Sequence, residues 1–103
     1  MVIAIVTFPA PPEPLPDPRG LLEATAPAYQ TIPGLQRKYF IGNERAAGGV
    51  YQWLDERAAT AYFDEEWQAR MAERYGVTPA VELFDAPCVV DNDAHSIVFA
   101  GDA

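Results

Sequence analysis

The sequence is poor in the residues that build disulfides and metal sites. Its 103 residues include one cysteine, Cys88, one histidine, His95, and one lysine, Lys38. A single cysteine excludes an internal disulfide, and this usage predicts a reducing, cytoplasmic setting. Cys88 follows Pro87 in an apolar segment without a neighbouring base, so we expect a buried, inert thiol. One histidine with no carboxylate–histidine spacing predicts no protein-held transition metal.

Long apolar runs and positive charge are also lacking. The apolar residues 1–6 are far fewer than the ~20 that cross a bilayer, and no basic segment precedes them, so we expect neither a membrane span nor a signal peptide. The net charge of −8 counts against binding of nucleic acid or anionic lipid. Gly48 and Gly49 lie in a hairpin before a strand, which is the wrong context for a nucleotide-binding loop.

Apolar residues are plentiful: they make up 50% of the chain, and aromatic residues make up 12%. That is enough for the core of one domain without metal or disulfides, so we expect a single domain over residues 1–103, with 93–103 as a C-terminal tail. The patterns predict a strand over 2–8, a helix from 17 to before 32, strands over 35–41 and 49–54, a long helix over 55–75 and a strand over 80–90 bent at a proline.

This β-α-β-β-α-β order predicts an α+β, ferredoxin-like fold. Right-handed crossovers then give a four-stranded antiparallel sheet with strand order 4-1-3-2. The two central strands are the ones with apolar residues on both faces. Because two helices cover only one face of such a sheet, we expect the other face to pack against a second copy, which forms a homodimeric α+β barrel.

Short motifs in a fixed order run through residues 32–92. They are Ile32, Pro33, Gly34 and Leu35; Lys38, Tyr39 and Phe40; Glu44; Gly48 to Trp53 as GGVYQW; Ala58, Tyr62, Trp67, Tyr75 and Gly76; Val81 to Pro87 as VELFDAP; and Val89 to Asn92 as VVDN. In these residues the chain resembles the dimeric α+β barrel family that contains the antibiotic-biosynthesis-type monooxygenases, and most closely its branch of small monooxygenase-like proteins.

The resemblance implies a homodimeric barrel with a pocket between each sheet and its helices. It also implies cofactor-independent oxygenation of a small aromatic or quinol-like molecule. A barrel that binds a small molecule without chemistry remains the alternative, and an isomerase or decarboxylase on the same scaffold stays open. Related barrels that degrade haem use a helix-borne histidine, and the second helix here has none, so no haem or other cofactor is expected.

Five aromatic residues are the candidates for ligand binding, although core packing or surface tyrosines would explain them as well. They are Trp53, Trp67, Tyr51, Tyr39 and Phe63. No catalytic residue is assigned. Oxygenation without a cofactor needs a base or a group that stabilises an anion. The charged candidates near the second strand are Glu44, Arg45, Arg37 and Lys38, each of which could equally be a solvated charge, and Lys38 a guard of the sheet edge.

Overall fold

The computed structural model describes residues 1–101, which form one four-stranded sheet, three α-helices and a separate two-stranded hairpin. The elements are β1 (Val2–Pro9), α1 (Pro18–Thr25), a 3-10 segment (Ala26–Thr31), β2 (Leu35–Gly42), β3 (Ala46–Trp53), α2 (Glu56–Tyr62), α3 (Glu65–Tyr75), β4 (Ala80–Asp85), β5 (Cys88–Asp91) and β6 (Ser96–Phe99). Within residues 1–101, none of these helices has the length and apolar character needed to cross a bilayer.

The sheet has the order β2-β3-β1-β4, and every neighbouring pair of strands is antiparallel. This confirms the predicted α+β class and the predicted order of the four strands, which is compatible with a ferredoxin-like fold. Strand β1 is central because its apolar side chains Val2, Ala4 and Val6 are buried beneath the helices. Strand β2 lies at an edge, as its mixed polar and apolar pattern predicts.

Helix α1 begins as its sequence predicts. The Asp17 carboxylate accepts a hydrogen bond from the Gly20 amide at 3.1 Å, and Pro18 occupies the first turn, where an amide hydrogen is dispensable. The α-helix is shorter than expected because Pro27 lacks the amide hydrogen that the next turn requires. The chain continues as the 3-10 segment and carries Tyr29 toward the sheet, where its ring meets that of Phe40.

The single long helix predicted after Asp55 is wrong, because the structure contains two helices. Phe63 leaves the helical conformation with ψ of 48°, which ends α2. The Asp64 carboxylate then accepts a hydrogen bond from the Trp67 amide at 2.8 Å and starts α3. Gly76 ends α3 with φ of 76°, a left-handed conformation that glycine adopts without strain. The break turns α3 relative to α2 and lets both helices place aromatic residues on the sheet.

A bulge in β2 changes the face on which Leu35 lies. Leu35 is opposite Trp53, whereas Arg37 is opposite the residue that precedes Trp53, so Gln36 is an extra residue on the edge strand. Strict alternation predicted Leu35 on the face of Arg37. The bulge instead puts Leu35 on the helix-covered face, the same face as Lys38, which is opposite Tyr51 across the strand pair.

The C-terminal region is more ordered than a tail. A break at Ala86 and Pro87 separates β4 from β5, as the proline predicts, and β5 pairs with β6 in a hairpin. The hairpin turn is held by the Asp91 carboxylate, which accepts hydrogen bonds from two following amides at 3.0 Å. Because this hairpin packs against none of the core residues, its apolar side chains are exposed, with Ile97 64% accessible. The predicted tail also includes residues 102 and 103, which lie outside the described residues.

The core lies on one face of the sheet, between the strands and α2 and α3. It consists of Val2, Ala4, Val6, Tyr51, Trp53, Ala59, Phe63 and Trp67. The opposite face is open in the single chain, and four large apolar side chains on it are exposed: Ile5, Tyr39, Ile41 and Phe84. This face carries the second apolar surface that the sequence of the central strands predicts.

Candidate functional site

An aromatic cluster fills the space between β3 and the two helices that follow it. Alternation along β3 puts Tyr51 and Trp53 on one face, with ring centroids 5.9 Å apart. Phe63 meets these two rings edge to face at 5.1 and 5.7 Å, and Trp67 meets Phe63 at 4.9 Å. Such edge-to-face pairs are favourable because a ring's positive edge approaches another ring's negative face. The Trp53 Nε1 atom is buried and has no hydrogen-bond partner within residues 1–101.

The structure brings together four of the five predicted ligand-binding residues: Tyr51, Trp53, Phe63 and Trp67. It places Tyr39 apart from them, since Tyr39 lies opposite Val50 on the open face of the sheet and is 53% exposed. The period-two geometry of a strand sends neighbouring side chains to opposite faces, which separates Tyr39 from Lys38.

A cavity of about 80 Å³ lies beside this cluster, between the sheet and α3. Its walls are Val6, Phe8, Tyr29, Lys38, Phe40, Gly48, Gly49, Tyr51, Trp67, Met71, Tyr75 and Pro79. Tyr51 and Trp67 therefore line the cavity, whereas Trp53 and Phe63 lie behind its wall. An engineered cavity of ~150 Å³ holds a benzene ring. The cavity here is smaller and partly open, so a ring-sized ligand would extend beyond it.

Lys38 is the charged residue of this cavity, and its ammonium group lies among three rings. Its Nζ atom is 3.5 Å from the ring centroid of Tyr29, 4.0 Å from that of Phe40 and 4.6 Å from that of Tyr51. The two ion pairs found within residues 1–101 involve other residues, so no carboxylate neutralises Lys38 there. From the sequence, Lys38 was one of four charged candidates for a base or an anion-stabilising group, with a solvated charge or an edge guard as the alternative. The structure places it in the wall of the aromatic cavity.

Burial lowers the pKa of Lys38 from 10.5 to about 7, because an ammonium ion loses hydration among apolar walls. The amine therefore loses its proton near neutral pH. Burial also raises the pKa of Tyr51 well above its ordinary value, and the nearby Tyr29 adds to this effect. Tyr51 consequently keeps its proton at physiological pH and remains a hydrogen-bond donor.

Gly49 makes room for the lysine. A Cβ atom at Gly49 would lie 2.9 Å from Cε of Lys38 and 3.0 Å from Cε1 of Tyr51. Both distances are shorter than ordinary carbon contacts, so a side chain here would displace the amine or the ring. Gly48 and Gly49 lie inside β3 and not in the hairpin before it, as the sequence had suggested, and only the strand register shows that Gly49 lies beside Lys38.

An open groove of about 390 Å³ runs along the other side of the same lysine. It shares Tyr29, Lys38 and Phe40 with the cavity, so these three side chains form the wall between the two spaces. The groove volume reaches the ~300–1,000 Å³ typical of small-molecule sites.

The remaining candidates lie away from the cavity. Glu44 and Arg45 are in the exposed turn between β2 and β3, and Arg37 is exposed on β2. Cys88 is exposed, which corrects the expectation of a buried thiol, because β5 belongs to the hairpin and not to the core. Within the described part of the chain, no group of three or more histidine, cysteine, aspartate or glutamate residues is arranged to hold a metal ion.

Comparison with protein-family models finds no match to this sequence, and no curated protein is similar enough to count as a match. The resemblance to the antibiotic-biosynthesis-type monooxygenases therefore stays a prediction.

Proposed function

We propose that this chain is a cofactor-independent monooxygenase that acts on a small aromatic or quinol-like molecule in the cytoplasm. The observation that supports it best is the Lys38 amine, which lies among three aromatic rings and loses its proton near neutral pH. Flat apolar walls suit a planar substrate, and a neutral amine next to it is a suitable base.

In this proposal Lys38 takes the proton of a phenolic hydroxyl, and the Tyr51 hydroxyl donates a hydrogen bond to the resulting oxyanion. The electron-rich phenolate passes electrons to dioxygen. One oxygen atom then replaces a ring hydrogen to form the second carbonyl of a quinone, and the other oxygen atom leaves as water. The substrate supplies all four electrons, so the reaction requires no external reductant, metal or flavin.

We also propose that the working form is a homodimer in which the open faces of two sheets pack together as an α+β barrel. The support is the exposed apolar group on that face, to which β1, β2 and β4 contribute Ile5, Ile41 and Phe84. Burying apolar surface is worth about 25 cal/mol per Å². A second copy would also cover the side of the sheet that the helices leave free.

The oxygenase proposal is tested by oxygen uptake with a panel of small hydroquinones and naphthols. We expect Lys38→Met to lower the rate by ~10²–10⁴-fold, the usual contribution of a positioned base. The matched control is Arg45→Met, which removes an exposed cation in the turn between β2 and β3. The wild-type rate should rise with pH through about 7, as Lys38 becomes neutral. Equal rates for the two variants would reject Lys38 as the base.

The second candidate is a barrel that binds an acidic aromatic molecule and carries out no reaction. The groove of about 390 Å³ beside Lys38 supports it, because one cation next to aromatic walls can hold an acidic ring compound without any chemical step. In that case calorimetry should detect binding of naphthoates that weakens in Lys38→Met, while no hydroquinone causes oxygen uptake. Oxygen uptake by the wild-type protein that depends on Lys38 would exclude this candidate.

A further inference from the structure

We propose that Lys38 also forms an imine with small aromatic aldehydes and ketones that enter the groove beside β2. The inference concerns a covalent reaction of the amine with a carbonyl group, and it goes beyond the oxygenase proposal because it requires neither dioxygen nor a phenol. It is carried by Lys38 lining both the cavity and the groove, with its Nζ atom among the rings of Tyr29, Phe40 and Tyr51.

The chemical state of the Lys38 amine favours imine formation. An imine-forming lysine must be unprotonated, and proteins achieve this by removing water from the amine and keeping carboxylates away from it. Lys38 meets both conditions: its Nζ atom lies within 4.6 Å of the ring centroids of Tyr29, Phe40 and Tyr51, and neither ion pair of the described residues includes it. Burial holds its pKa at about 7.

Those rings also attract an ammonium ion, and a cation–π contact is worth ~0.5–2 kcal/mol. If this attraction dominated, the rings would keep Lys38 charged and unreactive. Lys38 lies over tyrosine and phenylalanine, and tryptophan, the strongest partner for a cation, is not among the three rings. We therefore expect loss of hydration to decide the protonation state, and the experiment below separates the two cases.

The groove also gives a carbonyl compound access to Lys38. The groove of about 390 Å³ opens beside Lys38 and is lined by Ala26, Tyr29, Gln30, Leu35, Gln36, Arg37, Lys38 and Phe40. A single-ring aldehyde fits this volume, and its ring can pack against Phe40 or Tyr29 while its carbonyl carbon approaches the amine.

The reaction is balanced without another reagent. The lone pair of Nζ attacks the carbonyl carbon, the π electrons move to the oxygen, and a proton from nitrogen is transferred to that oxygen. The resulting carbinolamine loses its hydroxyl group and the second nitrogen proton as water, which leaves a carbon–nitrogen double bond. Apolar walls favour this product because they exclude the water that would hydrolyse it.

The experiment incubates the native protein with benzaldehyde and sodium cyanoborohydride at pH 7 in oxygen-free buffer and then maps the modified peptides by mass spectrometry. Reduction replaces a hydrogen on the amine with a benzyl group. Lys38 is the single lysine in the sequence, so the α-amino group at the start of the chain is the internal comparator. We expect Lys38 to be labelled at least about tenfold faster than the α-amino group, as for a lysine activated by loss of hydration.

Three controls make this result specific. In Lys38→Arg the internal label should disappear while the α-amino label remains. In concentrated urea the preference for Lys38 should vanish, because the groove is lost. Acetaldehyde, which has no ring, should show a smaller preference than benzaldehyde.

Labelling of Lys38 no faster than the α-amino group, or a preference unchanged by urea, would overturn the proposal. An equal preference with acetaldehyde would overturn its restriction to aromatic carbonyl compounds. Because the labelling is done without oxygen, its outcome is independent of oxygen uptake, and either proposal can fail alone.

Discussion

The replacement of Trp67 by alanine tests the placement of the aromatic cluster most directly. Trp67 is 3% exposed, packs edge to face on Phe63 at 4.9 Å, and forms part of the cavity wall. Truncating a buried tryptophan to alanine lowers the free energy of unfolding by ~3–5 kcal/mol. Each lost aromatic pair accounts for ~0.5–1.5 kcal/mol of that loss. The strand and helix backbones hold the site open, so we expect a loss of about 4 kcal/mol from the free energy of unfolding.

The assay is urea unfolding of Trp67→Ala followed by far-ultraviolet circular dichroism. A domain of this size has a stability of ~5–15 kcal/mol, so the variant should remain folded with a much lower urea midpoint. Indole added to the variant should raise its midpoint by refilling the space, and it should have no such effect on the wild type.

The matched control is Leu54→Ala, since Leu54 follows β3 and is 58% exposed. Surface substitutions of this kind usually change stability by less than ~0.5 kcal/mol. A loss of less than about 1 kcal/mol for Trp67→Ala, or a loss equal to that of the control, would refute a buried Trp67 beside a cavity.

Three further predictions concern the helix break, the open face and the lysine. Asp64→Ala should lower stability by ~1 kcal/mol in urea unfolding while Asp64→Asn changes it little, because Asn also caps helices; equal losses would argue against the cap. Ile5→Lys should shift sedimentation from dimer to monomer with unchanged circular dichroism, and a monomeric wild type would reject the dimer. Lys38→Met should raise the urea midpoint more at pH 6 than at pH 10. Below about pH 7 the folded and unfolded chains both carry the lysine charge, so the folded state bears the full free-energy cost of burying it. Between about pH 7 and 10.5 only the unfolded chain holds the proton, and that cost falls toward zero. A difference that does not depend on pH would contradict the low pKa.

The order of the strands was predictable because it depends on patterns that the sequence shows directly. Strands β1 and β3 carry apolar residues on both faces, so they were expected at the centre of the sheet. The strand order follows from this and from the handedness of the crossovers. Asp17 and Asp55 cap helices where their sequences predict them. The carboxylate of each accepts a hydrogen bond from a backbone amide in the first turn of its helix. The break at Asp64 was missed, although Asp64 precedes two glutamates much as Asp55 precedes Glu56, since the apolar period continues across it.

The candidate site was only partly predictable. Tyr51 and Trp67 were expected to line a pocket between sheet and helices, and both do. Lys38 was considered only as one charged candidate among several. Tyr39 was predicted to bind ligand, but the structure places it on the open face of the sheet. The bulge at Gln36 shows why: one extra residue reverses which side chains of an edge strand face the helices at that end, and no local signal in the sequence marks it.

The sequence alone determined the class of fold, the central strands and the starts of α1 and α2, because these depend on side-chain periodicity and on capping within a few residues. The tertiary structure decided which face of β2 meets the helices, how Gly49 leaves space opposite the edge strand, and therefore where Lys38 lies. These features depend on the register between strands far apart in the chain. A lysine acquires its low pKa only from the rings and walls that this register brings around it.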